Sequence, residues 1–151
     1  MTAGPRPIGV GLDVLDRTEL DRLLERRWFL RYCYAPEELA RSQDLTGGRR
    51  REYLCGRFAA KEAVLKALGR GLFQGVAPHD IVVGRTPDGG PLVELRAAAA
   101  EAAPSVTVTV SITHKADVVA AVAVATCGAP QHATENADDP PDKNSDGSRS
   151  L

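Results

Sequence analysis

Glu62 and Lys66 stand four residues apart in the stretch Cys55-Gly-Arg-Phe-Ala-Ala-Lys-Glu-Ala-Val-Leu-Lys-Ala-Leu-Gly-Arg-Gly71. At helical spacing a carboxylate and an ammonium then lie one above the other on one face. Two readings fit. One is a solvated ion pair worth roughly 0.2–0.5 kcal/mol. The other follows from Ala59, Ala60, Ala63 and Ala67, which leave the helix narrow enough for another backbone to come close. A carboxylate and an ammonium at such an approach can hold a metal ion and a phosphate. A second carboxylate, Asp13, ends the run Gly9-Val-Gly-Leu-Asp13, and Arg49-Arg50-Arg51 precedes the helix. The triplet opposes the helix dipole, which prefers anions at an N-terminus. It is either solvated or a clamp for phosphates beside exposed helix N–H groups.

The elements that position these groups follow from periodicity. Arg57 to Leu68 is built of strong helix formers, with Phe58, Val64, Leu65 and Leu68 as an apolar stripe and Gly69 and Gly71 as the stop. Residues 7–14 alternate as a strand whose aliphatic face, Ile8, Val10, Leu12 and Val14, is expected in the core. The opposite face is bare at Gly9 and Gly11 and ends in Asp13. It marks either a packed helix, with Asp13 as the next helix cap, or the close approach of a ligand or another backbone.

The rest of the chain supplies the scaffold. Asp16 is expected to cap a helix over about Arg17–Arg27, whose arginines are either solvated or a docking surface for an acidic partner. Trp28–Tyr34 is expected in the core, and Pro36 opens a short helix. Ile81–Val83 and Leu92–Leu95 read as strands joined through Thr86-Pro87-Asp88-Gly89-Gly90. Arg96–Ala103 is an alanine-rich helix ended by Pro104. Val106–Thr113 alternates as a half-buried strand with a hydroxyl face. A turn at His114–Asp117 leads to Val118–Thr126, apolar on both faces and so a central strand. His114 alone reads as a turn residue. It forms no triad with Ser111, because no acid is placed to orient it and no GxSxG elbow exists. No His/Cys cluster has zinc spacing.

Composition bounds the function. The 151 residues are 43% hydrophobic and 26% charged, which favours one packed domain, and only 5% aromatic, so the core is aliphatic and alanine-rich. Residues 128–151 carry five acids and two bases and are expected to be a disordered acidic tail. Residues 1–127 keep 17 Lys and Arg against 15 Asp and Glu, a net +2, far from a nucleic-acid binder. No run approaches the ~18 apolar residues of a membrane span. The first residues lack a secretory apolar stretch. Cys33, Cys55 and Cys127 read as reduced thiols of a cytoplasmic protein.

Together, Gly9–Asp13, Gly56–Lys66 with Gly69 and Gly71, and Val110-Ser-Ile-Thr-His114 resemble, in order and spacing over about residues 7–126, the holo-acyl-carrier-protein synthase family, the small 4′-phosphopantetheinyl transferases. The resemblance implies an α+β fold, with an antiparallel sheet packed against a long central helix. It implies transfer of the phosphopantetheine arm of coenzyme A to a serine of apo acyl carrier protein, releasing adenosine 3′,5′-bisphosphate. Mg²⁺ is the implied cofactor and a homotrimer the implied assembly, with active sites between neighbouring subunits. Asp13 and Glu62 match the family's metal ligands, and Lys66 its phosphate-binding lysine. Arg49, Arg50, Arg57 and His114 match contacts to the nucleotide phosphates, with Gly69 and Gly71 shaping the adjacent loop. The serine needs a base, either Glu62 or a metal-bound water.

Two departures stand out. Arg70 replaces a small residue, and Thr18 and Glu19 occupy positions commonly basic, which leaves fatty-acid and polyketide carriers both open. The rival reading is a module that binds the carrier or coenzyme A without chemistry; intact Asp13, Glu62 and Lys66 weigh against it.

Overall fold

The computed structural model describes residues 6–72 and 74–127. The expected acidic tail, residues 128–151, lies outside them. In chain order the elements are β1 (Arg6–Asp16), α1 (Asp21–Leu24), α2 (Arg27–Cys33), α3 (Pro36–Gln43) and α4 (Gly47–Ala67). A single 3-10 turn at Pro78–Asp80 follows, then β2 (Ile81–Arg85), β3 (Pro91–Leu95), α5 (Ala97–Ala102), β4 (Val106–Lys115) and β5 (Val118–Cys127). The fold is α+β. One antiparallel sheet has the order β1-β5-β4, and β2 and β3 form a second, two-stranded sheet. β5 is central, as its two apolar faces predict.

The 21-residue α4 is about 30 Å long at 1.5 Å per residue, and it is the rod on which the sheet rests. It takes the arginine triplet into its N-terminal end, and its first turn contains no acid. It ends as the glycines predict. Gly69 is left-handed at φ +71°, the Gly69 N–H donates to the Lys66 carbonyl (3.0 Å), and the Arg70 N–H donates to the Leu65 carbonyl (2.8 Å). These two bonds satisfy two of the helix's terminal carbonyls, those of Leu65 and Lys66.

The contact of α4 with β1 explains the bare strand face. A Cβ on Gly9 would lie 1.9 Å from the Ala67 carbonyl oxygen, and one on Gly11 would lie 1.8 Å from that of Ala63. Ala121, Ala123 and Ala125 of β5 are buried on the same side. Small residues thus admit the helix backbone onto the sheet. Gly11→Ala should therefore cost about 3 kcal/mol or more, since the obstacle is backbone that cannot rotate away. Its denaturation midpoint tests this, and an unchanged midpoint would contradict the packing.

The same contact corrects the expected core. Ile8, Val10, Leu12 and Val14 are more than half exposed, with Val10 at 65%. The helix claims the glycine face of β1, so the large aliphatics turn outward. Val122 and Val124 of β5 stand beside them, paired in register with Leu12 and Val10.

Two further expectations change. Asp16 caps no helix; it ends β1, paired with Val118. The Arg17 N–H donates to the Asp117 carbonyl (2.7 Å), which holds the chain in the sheet hairpin's company. The predicted 17–27 helix shrinks to α1, and extended backbone at Arg26 separates it from α2. Trp28 is 59% exposed rather than core, because the short α2 turns Phe29 and Cys33 inward instead. The last hairpin also turns later than predicted. β4 continues through His114 to Lys115, leaving Ala116 and Asp117 as the turn, with Ala116 at φ +51°.

Candidate active site

Asp13 lies two residues beyond Gly11 and four beyond Gly9, so it points to the same side of β1, towards α4. Because the glycines let α4 settle onto the strand, the helix brings Glu62 and Lys66 to that carboxylate. Lys66 Nζ lies 2.9 Å from Asp13 Oδ1 and 2.9 Å from the Leu12 carbonyl oxygen. The ammonium therefore spans to the strand, and among the described residues Glu62 and Lys66 form no ion pair. Asp13 is mostly buried while Lys66 is half exposed.

Glu62 is the strained member of the group. Its Oε1 is buried with no hydrogen-bond partner. Burial above all, with the nearby Asp13 adding to it and Lys66 opposing, pushes its carboxyl up to about 7. Two carboxylates side by side, one of them with an orphaned buried oxygen, suit a divalent cation. Among the described residues no cluster of three or more His, Cys, Asp or Glu exists. A hard ion held by two carboxylates would draw its remaining ligands from phosphate and water, the usual habit of Mg²⁺.

The raised Glu62 has a consequence for stability. A carboxyl held more tightly protonated in the folded than in the unfolded chain stabilises fully below its unfolded pKa and loses that contribution as pH rises through the folded one. In chelator, native stability should fall between about pH 4.5 and 7. Glu62→Gln should flatten that fall. Thermal melts across this range test it, and an identical slope in the variant would contradict it.

A second group of side chains lies on another side of α4. Arg49, Tyr53 and Arg57 follow one another at four-residue steps along the helix. Lys66 is about 180° round the helix from Arg57, and Glu62 about 140°. Here a cavity of about 340 Å³ is lined by Arg41, Arg49, Arg57, Arg85, His114 and Glu52, among others. Arg57 is only 7% exposed, its guanidinium lies 4.0 Å from the Tyr53 ring centre, and its Nε has no partner. The His114 ring closes over Gly56, with Nε2 3.2 Å from the Glu52 carbonyl oxygen. A Cβ at position 56 would lie 3.0 Å from Nε2, so the glycine leaves room for the ring.

Not all the predicted residues meet. Arg49, Arg57 and His114 share the basic cavity. Arg50 instead faces α1 beside Asp21 and Glu25, and Arg51 is taken by Asp21 at 2.8 Å. Gly69 belongs to the carboxylate end, lining a groove with Lys66 and Gly9. The Gly71 N–H is bonded to Gln74 Oε1 (2.8 Å).

Known proteins resolve what this pairing belongs to. The profile of the 4′-phosphopantetheinyl transferase superfamily matches residues 9–127. A holo-[acyl-carrier-protein] synthase of Nitratidesulfovibrio vulgaris is 38% identical over 126 residues, covering 78% of this chain and 96% of its own. That of Beutenbergia cavernae is 40% identical over 122 residues, covering 78% and 97%. The chain belongs to the holo-acyl-carrier-protein synthase family. Among solved structures, the Bacillus anthracis synthase in complex with CoA (3′,5′-ADP) superposes with a TM-score of 0.70 at 28% identity, covering 81% of this chain and 98% of its own.

Three features of this synthase-family chain escaped the sequence reading. Arg41 and Arg85 reach the basic cavity from α3 and from the end of β2. Neither position carries a periodic signal for it, because the elements converge only in three dimensions. Lys61, next to Glu62, is fully buried and donates to Glu38 Oε2 (2.7 Å), the Pro78 carbonyl (3.0 Å) and the Ile81 carbonyl (2.6 Å). Glu38 also accepts the Ala35 and Val83 N–H groups. This network ties α3 and β2 to α4 at the residue before Glu62. Its signal was legible: a lysine on the apolar stripe between Phe58 and Leu65.

Proposed function

We propose that this chain transfers the 4′-phosphopantetheine group of coenzyme A to a serine of apo acyl carrier protein, releasing adenosine 3′,5′-bisphosphate, with Mg²⁺ as cofactor. The observation that carries the reading is the partnerless buried oxygen of Glu62 beside Asp13 and Lys66. Asp13 and Glu62 would hold the ion, which supplies positive charge against the diphosphate when bound. In the reaction a bond forms between the serine oxygen and the β-phosphorus, and the bond from that phosphorus to the bridging oxygen breaks. Lys66 leaves Asp13 to donate to phosphate oxygens and stabilises the charge that develops on the departing bisphosphate. Glu62 is the base we propose to accept the serine proton.

The assembly we propose is a homotrimer. The support is twofold. An aliphatic sheet face of Val10, Leu12, Val14, Val122 and Val124 stands uncovered in one chain, and further copies are its fitting cover. The basic cavity and the carboxylates also occupy different sides of α4, so one coenzyme A reaches both only when two chains contribute. The pathway is fatty-acid or polyketide biosynthesis in the cytoplasm. No helix among the described residues is long and apolar enough to cross a membrane. Intact-mass measurement of an apo carrier incubated with the chain, coenzyme A and Mg²⁺ tests the reaction. The carrier should gain one phosphopantetheine group on its serine. A carrier of unchanged mass, across fatty-acid and polyketide carriers, would overturn the proposal.

A further inference from the structure

Lys61 and Glu38 are both buried, and they face each other at 2.7 Å. An ammonium has three protons, and each finds an acceptor here: Glu38 Oε2, the Pro78 carbonyl and the Ile81 carbonyl. Glu38 accepts the Ala35 N–H at Oε2 (2.8 Å) and the Val83 N–H at Oε1 (2.9 Å). The network therefore joins α4 to α3, to the Pro78–Asp80 turn and to β2, none of which belongs to the sheet beneath α4. Apolar side chains of similar volume often hold a fold as well as a buried ion pair does. The best-attested use of such a pair is to fix register.

The sheet leaves that register loose. Ala63 and Ala67 meet Gly9 and Gly11, with Ala121, Ala123 and Ala125 buried on the same side. Side chains this small raise no ridges, so they set how near the helix lies but hold its rotation weakly. Glu62 depends on that rotation. Its buried Oε1 takes no hydrogen bond among the described residues, so the carboxylate is placed by its own backbone. Lys66 does bond Asp13, but it is half exposed and turns to phosphate in the proposed reaction. Lys61 is the residue before Glu62, about 100° from it round the helix. Turning α4 by about 10° moves a side-chain tip ~5–6 Å from the axis by about 1 Å, a misplacement able to cost roughly 10²-fold in rate.

We propose that the Lys61–Glu38 pair sets the rotation of α4 about its axis and so carries Glu62 to Asp13. Lys61 is then a positioning residue for the proposed reaction, the reading on which this inference rests. The two halves of the site respond differently to a shift of this size. The long arginine side chains of the basic cavity can follow it, whereas two carboxylates sharing one Mg²⁺ cannot, because that ion demands near-ideal geometry.

The test compares the full-length native chain with the double variant Glu38→Gln/Lys61→Met, which removes both charges and leaves neither buried alone. Below the melting temperature kcat should fall roughly 10²-fold, with KM for coenzyme A nearly unchanged. Mn²⁺ affinity, titrated with coenzyme A present, should fall roughly tenfold or more. A pair that only stabilised the fold would lower the melting temperature and leave the folded chain's kcat and Mn²⁺ affinity as in the native protein. That result would overturn the proposal. A crystal structure of the double variant supplies a readout that needs no reaction. It should show α4 turned about its axis and the Glu62 carboxylate withdrawn from Asp13; native placement of Glu62 would refute the role of Lys61. Were the native chain to transfer nothing, the proposed function would fall, and this comparison of structures would still decide the positioning. Should the double variant not fold, Glu38→Gln alone is read in the same three ways, and native values in it would overturn the proposal.

Discussion

Glu62→Ala should reduce phosphopantetheine transfer by at least about 10³-fold, the scale expected when a preorganised stabiliser of transition-state charge is removed. Asp13→Ala should do the same. Neither loss should come from unfolding. Glu62 contributes an unsatisfied buried oxygen, which stabilises nothing in the metal-free fold. Its removal should leave the melting temperature unchanged or raised at neutral pH, where its ionised form is disfavoured. Asp13 differs in one respect: it holds Lys66 at 2.9 Å, so its loss frees the ammonium as well. The measurement is initial rate of carrier modification beside a melt of each variant. Full activity in either would remove the carboxylates from the chemistry.

Val10→Asp should disperse the assembly and lower transfer by roughly 10²-fold or more, because an uncompensated charge buried at an interface costs about 3 kcal/mol or more. Val10 is an exposed residue in the single chain, so the substitution spares the fold. Sedimentation should report the mass of one chain in place of three. A stronger form of the prediction uses two inactive variants. Glu62→Ala keeps the basic cavity, and Arg57→Ala keeps the carboxylates. Co-expressed, the two should recover activity in the fraction of contacts that pair an intact cavity with intact carboxylates. No recovery would place both halves of the site within one chain.

Much of this was legible in the amino-acid sequence because the active elements obey local rules. Gly9 and Gly11 announced a close backbone approach, and the structure places α4 there. Gly69 announced a left-handed helix end, and the two bonds at Arg70 and Gly69 confirm it. The misreading of β1 has a definite physical origin. Alternation shows that two faces differ, but not which one a helix will claim, and an aliphatic face is ordinarily the buried one. Here the space the helix needed outweighed the burial of Ile8, Val10, Leu12 and Val14 within one chain. Arg41 and Arg85 were invisible for another reason. A cavity assembled from α3, α4, β2 and β4 leaves no spacing in the sequence, since the convergence is a property of the tertiary fold. The triplet divides for a local reason: Arg49 lines the basic cavity while Arg50 and Arg51 both face Asp21 of α1, because 100° steps round a helix part consecutive residues.

The central claim is that Asp13 and Glu62 grip one divalent ion together. Titration of Mn²⁺ into the protein with coenzyme A present, followed by the resonance signal of the free ion, measures this directly. The native chain should bind one Mn²⁺ per chain, and the paired substitutions Asp13→Asn and Glu62→Gln should abolish that binding while the fold persists. Equal Mn²⁺ affinity in the native and doubly substituted chains would contradict the claim.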